Sequence, residues 1–176
     1  MRKITLGIAM SLDGYIAREN GTVDWLRMED LTEAADEGRE FFQSIDTILF
    51  GRKTYEKGLE MGGDFGGVMN YVFTRTPQTS KSENIEFVSE NVKEFVEDLK
   101  RQKGKNILLM GGGNLAKTFF EAGLIDEIIL SIQPTILGRG IPLFLPHERQ
   151  TELELIGVKT RLSGSVQISY TIKQQI

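Results

Sequence analysis

Asn106-Ile107-Leu108-Leu109-Met110-Gly111-Gly112-Gly113-Asn114-Leu115-Ala116-Lys117-Thr118-Phe119-Phe120-Glu121-Ala122-Gly123 reads as a strand, a glycine turn and a helix in immediate succession. Asn106 to Met110 is a near-continuous apolar run, the pattern of a strand buried on both faces of a parallel sheet. Leu115 to Ala122 continues as a helix that Gly123 ends. The three glycines admit two readings. They let backbone N–H groups approach an anion at the positive end of the helix, or they only allow the helix to pack closely on the strand. Gly111, Gly113 and Ala116 fit the spacing G-x-G-x-x-G/A. That fingerprint belongs in a first βαβ unit with an acid about 20 residues further on. Here it comes late, and Asp126 precedes its strand instead of ending it, so an ordinary Rossmann domain is rejected.

Working outward, Lys3 to Met10 alternates as a strand, with Ile4, Leu6, Ile8 and Met10 on one face and the small Thr5, Gly7 and Ala9 on the other. Asp30-Leu31-Thr32-Glu33 has the form of a capping box opening a helix that runs through Phe41 and Phe42. Strands are predicted over 46–50, 70–74, 85–88 and 125–132, and helices over 53–59 and from Val92 to near Lys103. Leu153 to Leu162 and Val166 to Ile172 form a terminal hairpin around Ser163-Gly164. This order predicts an α/β fold in one domain over residues 1–176, with a mainly parallel central sheet finished by antiparallel C-terminal strands. Gly62-Gly63-Asp64-Phe65-Gly66-Gly67 is either a flexible linker or a substrate lid.

Composition removes several classes of function. A formal charge of −4 and a pI near 5.2, without a basic block, argue against nucleic acid and anionic membranes as partners. The absence of cysteine excludes disulfides and thiolate chemistry and fits a cytoplasmic address, and no window is apolar for the roughly 18 residues of a membrane span. The single histidine, His147, lies in a polar stretch and reads as a solvated loop residue.

A second junction, Leu49-Phe50-Gly51-Arg52-Lys53-Thr54, sets a glycine, two cations and a hydroxyl at another helix start. Two such junctions suit a dinucleotide better than either does alone. Arg75 and Thr76 follow the strand Tyr71-Val72-Phe73-Thr74, where a site for NAD would carry a carboxylate. The cation favours the 2′-phosphate of NADPH.

Four segments carry a resemblance: Ala9 to Ala17, Leu49 to Tyr55, Gly111 to Leu115 and Pro134 to Gly140. In this order, spread over nearly the whole chain, they resemble the dihydrofolate-reductase-like superfamily. The resemblance is closest to the C-terminal reductase domain of the bifunctional riboflavin-biosynthesis deaminase-reductase. It implies a three-layer dihydrofolate-reductase-like fold and places Ala9 and Ile16 against the nicotinamide. It gives Gly51, Arg52, Lys53 and Thr54 to the phosphates and adenosine side, and Thr74, Arg75 and Thr76 to the adenosine end. Gly111, Gly112, Gly113, Asn114 and Leu115 fall on the pyrophosphate.

The resemblance also yields acid candidates. Trp25 and Asp30 resemble the tryptophan and acid of dihydrofolate reductases, although Asp30 also opens the capping box; Asp13 resembles an acid near the substrate of the riboflavin-pathway enzymes, although Asp13-Gly14 is also a turn dipeptide. Asp24 completes the acid set, Gly138 and Arg139 are candidates for a phosphorylated substrate, and Arg27 and Arg39 are weaker ones.

The expected activity is metal-independent hydride transfer from NADPH to a C=N or C=O bond, with 5-amino-6-(5-phosphoribosylamino)uracil as leading substrate and a dihydropterin or dihydrofolate as runner-up. A nucleotide-binding protein without turnover is the rival from another class. The apolar face of the hairpin, Val166, Ile168, Tyr170 and Ile172, serves the core or a partner subunit, and the resemblance favours a homodimer.

Overall fold

A computed structural model describes residues 1–27 and 38–173. Its elements are β1 (Ile4–Ser11), β2 (Tyr15–Ala17), α1 (Arg39–Gln43), β3 (Ile45–Gly51), α2 (Arg52–Glu60), β4 (Met69–Phe73) and β5 (Ile85–Val88). They continue with α3 (Val92–Arg101), β6 (Asn106–Leu109), α4 (Gly113–Glu121), β7 (Glu127–Gln133), β8 (Ile141–Pro142), β9 (Leu153–Thr160) and β10 (Val166–Ile172). Eight strands form one sheet in the order β5-β4-β3-β6-β1-β7-β10-β9. The six from β5 to β7 are parallel, and β10 and β9 add antiparallel strands at one edge. This is the mainly parallel α/β sheet that the alternation of apolar strands and amphipathic helices predicts.

Strand alternation sorts the core into two layers. Ile4, Leu6, Leu49, Phe73, Ile107 and Leu109 pack with Val96 and Leu99 of α3 and Ala116, Phe119 and Phe120 of α4 on one face. Ile48, Phe50, Val72 and Leu108 pack with Tyr55 of α2, Phe41 and Phe65 on the other. Helices therefore cover both faces of the parallel half, which is why its strands read as unbroken apolar runs.

Two short elements escaped the sequence. β2 and β8 pair antiparallel, Tyr15 opposite Pro142 and Ala17 opposite Ile141. Two- and three-residue strands are too brief to show a period. The segment 62–67 is an anchored loop. Phe65 sits 4.8 Å from Phe50 and 6.0 Å from Tyr55, ring centre to ring centre, and its carbonyl accepts the Asn70 amide at 2.9 Å. His147 also departs from the sequence reading: it is half-buried and its ring stacks on Phe120 with centres 6.1 Å apart and planes 9° from parallel. The polar letters around it concealed an aromatic neighbour far off in sequence. The capping box at 30–33 and Asp30 lie outside the described residues.

The chain's two ends share one side of the sheet. Thr5, near the start of β1, and Thr171, near the end of β10, flank Glu127 at the start of β7. Asp126 ties this end together, accepting Ile4 N–H at 2.8 Å and the Lys100 ammonium at 2.7 Å. It is a structural acid. Among the described residues, no helix is long and apolar enough to cross a membrane, and no group of three or more acids and histidines could hold a metal ion.

Candidate functional site

β3 and β6 are sheet neighbours, yet the helices that follow them leave to opposite faces. Chain α2 packs on the Phe50 side and returns to β4, whereas α4 packs on the Leu109 side and crosses to β7. Such a reversal opens a crevice at the carboxyl ends of the two strands, where open α/β sheets bind ligands.

Both walls of the crevice are glycine turns and they touch. Gly51 N–H donates to the Gly111 carbonyl at 2.7 Å. Gly51 is the N-cap of α2 and Gly112 that of α4; neither helix has a side-chain cap or an acid in its first turn. Two uncompensated positive helix ends therefore open on one crevice. A Cβ on Gly51 would lie 3.4 Å from the Gly111 oxygen. One on Gly112 would lie 3.2 Å from Thr54 Oγ1 and 3.4 Å from Ile16 Cδ1. Gly111 has φ +81°, which side chains disfavour. Gly51, Gly111 and Gly112 add no side chains of their own to this wall, which Thr54 Oγ1 and Ile16 Cδ1 approach from the side.

Gly113 has a different reason. A Cβ there would stand 2.5 Å from the Pro142 carbonyl oxygen, so β8 packs directly on the first turn of α4. The packing alternative raised by the glycine run is thus realised at Gly113.

Other candidates gather along the same edge. Thr74 to Thr76 follow β4, the neighbour of β3; Thr76 N–H bonds to Thr74 Oγ1 at 3.2 Å, and Arg75 is exposed. Ala9 is half-buried near the end of β1, on the far side of β6, and Ile16 of β2 reaches over Gly112. Lys53 and Asn114 are exposed, Leu115 is half-buried, and Arg52 turns to Glu56 in an i,i+4 pair at 2.8 Å.

The acids are engaged. Asp13 accepts Ser11 Oγ at 2.6 Å, Leu137 N–H at 3.1 Å and Gly138 N–H at 2.7 Å. The Ser11 hydroxyl, opposed by desolvation and helped by the two loop N–H groups, holds this carboxyl below its ordinary value. Asp24 pairs with Arg18 at 2.7 Å, and that guanidinium likewise lowers it. Neither stores a proton near neutral pH. Arg27 donates to the Ser163 carbonyl at 2.6 Å, and Arg139 is exposed, 4.0 Å from Glu19.

Sequence reasoning passed over Gln133. It ends β7 in register with Ser11, is 2% exposed, and its Oε1 finds no partner among the described residues. The buried Trp25 Nε1 is likewise unpartnered among them. A glutamine closing a strand rich in Ile128, Ile129, Leu130 and Ile132 was the available signal.

The RibD C-terminal domain family model matches residues 2–169. The chain belongs to that family. It is 40% identical over 172 residues to YwjB of Bacillus subtilis, an uncharacterized protein, covering 96% of this chain and 97% of that one. To YyaP of the same organism, also uncharacterized, it is 38% identical over 182 residues, covering 96% and 94%. A solved structure assigned to riboflavin biosynthesis, from Shewanella sp. PV-4, superposes with TM-score 0.84 at 29% identity over 99% of this chain and 100% of that one. A Thermotoga maritima diaminohydroxyphosphoribosylaminopyrimidine deaminase/5-amino-6-(5-phosphoribosylamino)uracil reductase gives TM-score 0.70 at 16% identity, over 98% of this chain and 57% of that one. A pyrimidine reductase-like protein of Corynebacterium diphtheriae gives 0.74 at 15%, over 99% and 93%. These last two likenesses bear on the fold alone, which is the dihydrofolate-reductase-like α/β fold of the family.

Proposed function

We propose that the protein is an NADPH-dependent reductase that transfers hydride to a C=N or C=O bond of a small molecule, with 5-amino-6-(5-phosphoribosylamino)uracil as the leading substrate. The order of strand ends carries the reading. Arg75 after β4, Gly51 after β3, Gly111–Gly112 after β6 and Ala9 with Ile16 at β1–β2 follow one another across adjacent strands. Neighbouring strands stand ~4.8 Å apart, so these groups span ~14 Å. That sequence of a cation, a doubled helix-end cradle and a small-residue strand matches the 2′-phosphate, pyrophosphate and nicotinamide of an extended dinucleotide.

The nucleotide, when bound, supplies the hydride. The chain's own task is placement: Gly51 and Gly111 to Leu115 hold the diphosphate, Thr54 and Lys53 flank it, and Ala9 leaves room for a ring at the end of β1. Arg139, on the exposed loop after β7, is a cation for an anionic substrate group. Asp30 keeps the acid role proposed from the sequence. A dihydropterin or dihydrofolate is the alternative acceptor.

Titration of the buried Trp25 fluorescence tests the cofactor: NADPH should bind at least ~10-fold tighter than NADH, and Arg75→Asp should abolish that preference, since tenfold is about 1.4 kcal/mol, within the reach of one charge-assisted contact. Absorbance at the NADPH band with each candidate substrate then tests turnover. Binding without consumption would leave the second reading, a nucleotide-binding protein without turnover, which the ionised state of Asp13 and Asp24 favours.

We also propose a homodimer. Leu153, Leu155, Ile156 and Val158 of the edge strand β9 are all exposed, an apolar strand edge that a second copy would cover.

A further inference from the structure

We infer that Asp13 is a positioning residue: its carboxylate latches the 135–140 loop across the end of β1 and so sets where Arg139 and β8 stand against the glycine turn. The kinetic consequence rests on the reductase reading; the latch itself does not.

Three donors converge on this one group. Ser11 Oγ and Leu137 N–H reach Oδ1, and Gly138 N–H reaches Oδ2. Ser11 is fully buried, and its oxygen in turn accepts Tyr15 N–H at 2.9 Å, so the hydroxyl proton is directed to Asp13 and the carboxylate cannot rotate freely. Peptide N–H groups only donate. Three donors on the two oxygens therefore favour the ionised acceptor.

The loop is stitched on either side of the latch. Leu12 N–H bonds to the Thr135 carbonyl at 2.8 Å, and Leu143 N–H to the Gly14 carbonyl at 3.0 Å. Between these backbone ties, the Asp13 carboxylate accepts both Leu137 N–H and Gly138 N–H. The held segment runs through Gly140, where a Cβ would lie 2.3 Å from the Ala17 carbonyl oxygen, into β8, whose Pro142 carbonyl occupies the Cβ position of Gly113. One carboxylate thus links β1, the loop bearing Arg139, and the first turn of α4.

Arg139 offers a direct readout because trypsin cleaves after an exposed arginine. Asp13→Ala should speed cleavage after Arg139 by about tenfold relative to cleavage after Lys103, an exposed site remote from the latch, because local opening without global unfolding exposes only the released segment. Asp13→Asn keeps one acceptor oxygen and should fall between wild type and alanine. With NADPH and 5-amino-6-(5-phosphoribosylamino)uracil, the latch predicts a KM raised about tenfold and a kcat within about threefold of wild type. A kcat collapse at unchanged KM in both variants would mark a proton donor and overturn the inference, as would unchanged cleavage after Arg139. If wild type neither binds NADPH nor turns over, the reductase reading fails and the cleavage pattern alone decides the latch. Should Asp13→Ala not fold by circular dichroism, Asp13→Asn carries both measurements.

Discussion

Gly112 and Gly113 are adjacent and chemically identical, but substitution should separate them. Gly113→Ala drives a Cβ into the Pro142 carbonyl, backbone against backbone, and should cost about 1–3 kcal/mol by overpacking, read as a fall in Tm with or without nucleotide. Gly112→Asp meets Thr54 Oγ1 and Ile16, side-chain atoms that can yield, and should leave Tm nearly unchanged while weakening NADPH about tenfold or more by setting a charge in the cradle. An unchanged affinity would return Gly112 to a packing role. At the other end of the sheet, Arg2 is 7% exposed and held by Asp46, Thr47 Oγ1 and the Lys105 carbonyl. Burial works against the Asp46 charge, but Lys105 N–H, Thr47 and Arg2 outweigh it and lower its pKa. Because the folded form is the stronger acid, Asp46 stabilises the fold above the ordinary carboxylate pKa, and that contribution is lost as pH falls below it. Asp46→Asn should flatten the acid limb of a Tm-against-pH curve and leave the neutral region almost level. The glycines and Asp13 were visible as letters. Which glycine packs and what Asp13 accepts were not, because each depends on a neighbour, Pro142 or Leu137, that is remote in sequence.

Among the elements, the parallel strands and α2 to α4 were legible because each buries enough surface to leave a period of two or nearly four in the chain. β2 and β8 have too few residues for either period, and they exist because β1 and β7 deliver their loops side by side. The 62–67 segment shows the opposite error: glycine content suggested mobility, whereas a single aromatic fixes it. Phe65→Ala removes the ring from Phe50 and Tyr55, and should cost about 2 kcal/mol, less than the 3–5 of a fully buried ring, while the loop becomes a site of limited proteolysis. An intact loop under protease would show that the backbone bonds to Asn70 suffice.

For the whole molecule, the edge strand β9 presents four exposed aliphatic residues. Light scattering should give twice the chain mass at micromolar concentration, and the pair Leu155→Glu with Ile156→Lys should halve it while leaving the parallel core folded, because charged edges oppose strand pairing. A monomeric wild type would remove the homodimer proposal. The sequence set Val166, Ile168, Tyr170 and Ile172 of the hairpin on one face but assigned no face to its first strand. The register shift at Ser169/Tyr170 gives β9 an extra residue there, and it breaks the simple alternation on which such assignments depend.

The side of the sheet where Thr5 and Thr171 flank Glu127 lies opposite the crevice. A polypeptide joined to either end of the described chain would therefore emerge on the side away from the crevice. Purification tags, surface tethers or a fused protein can be attached there without shading the cleft.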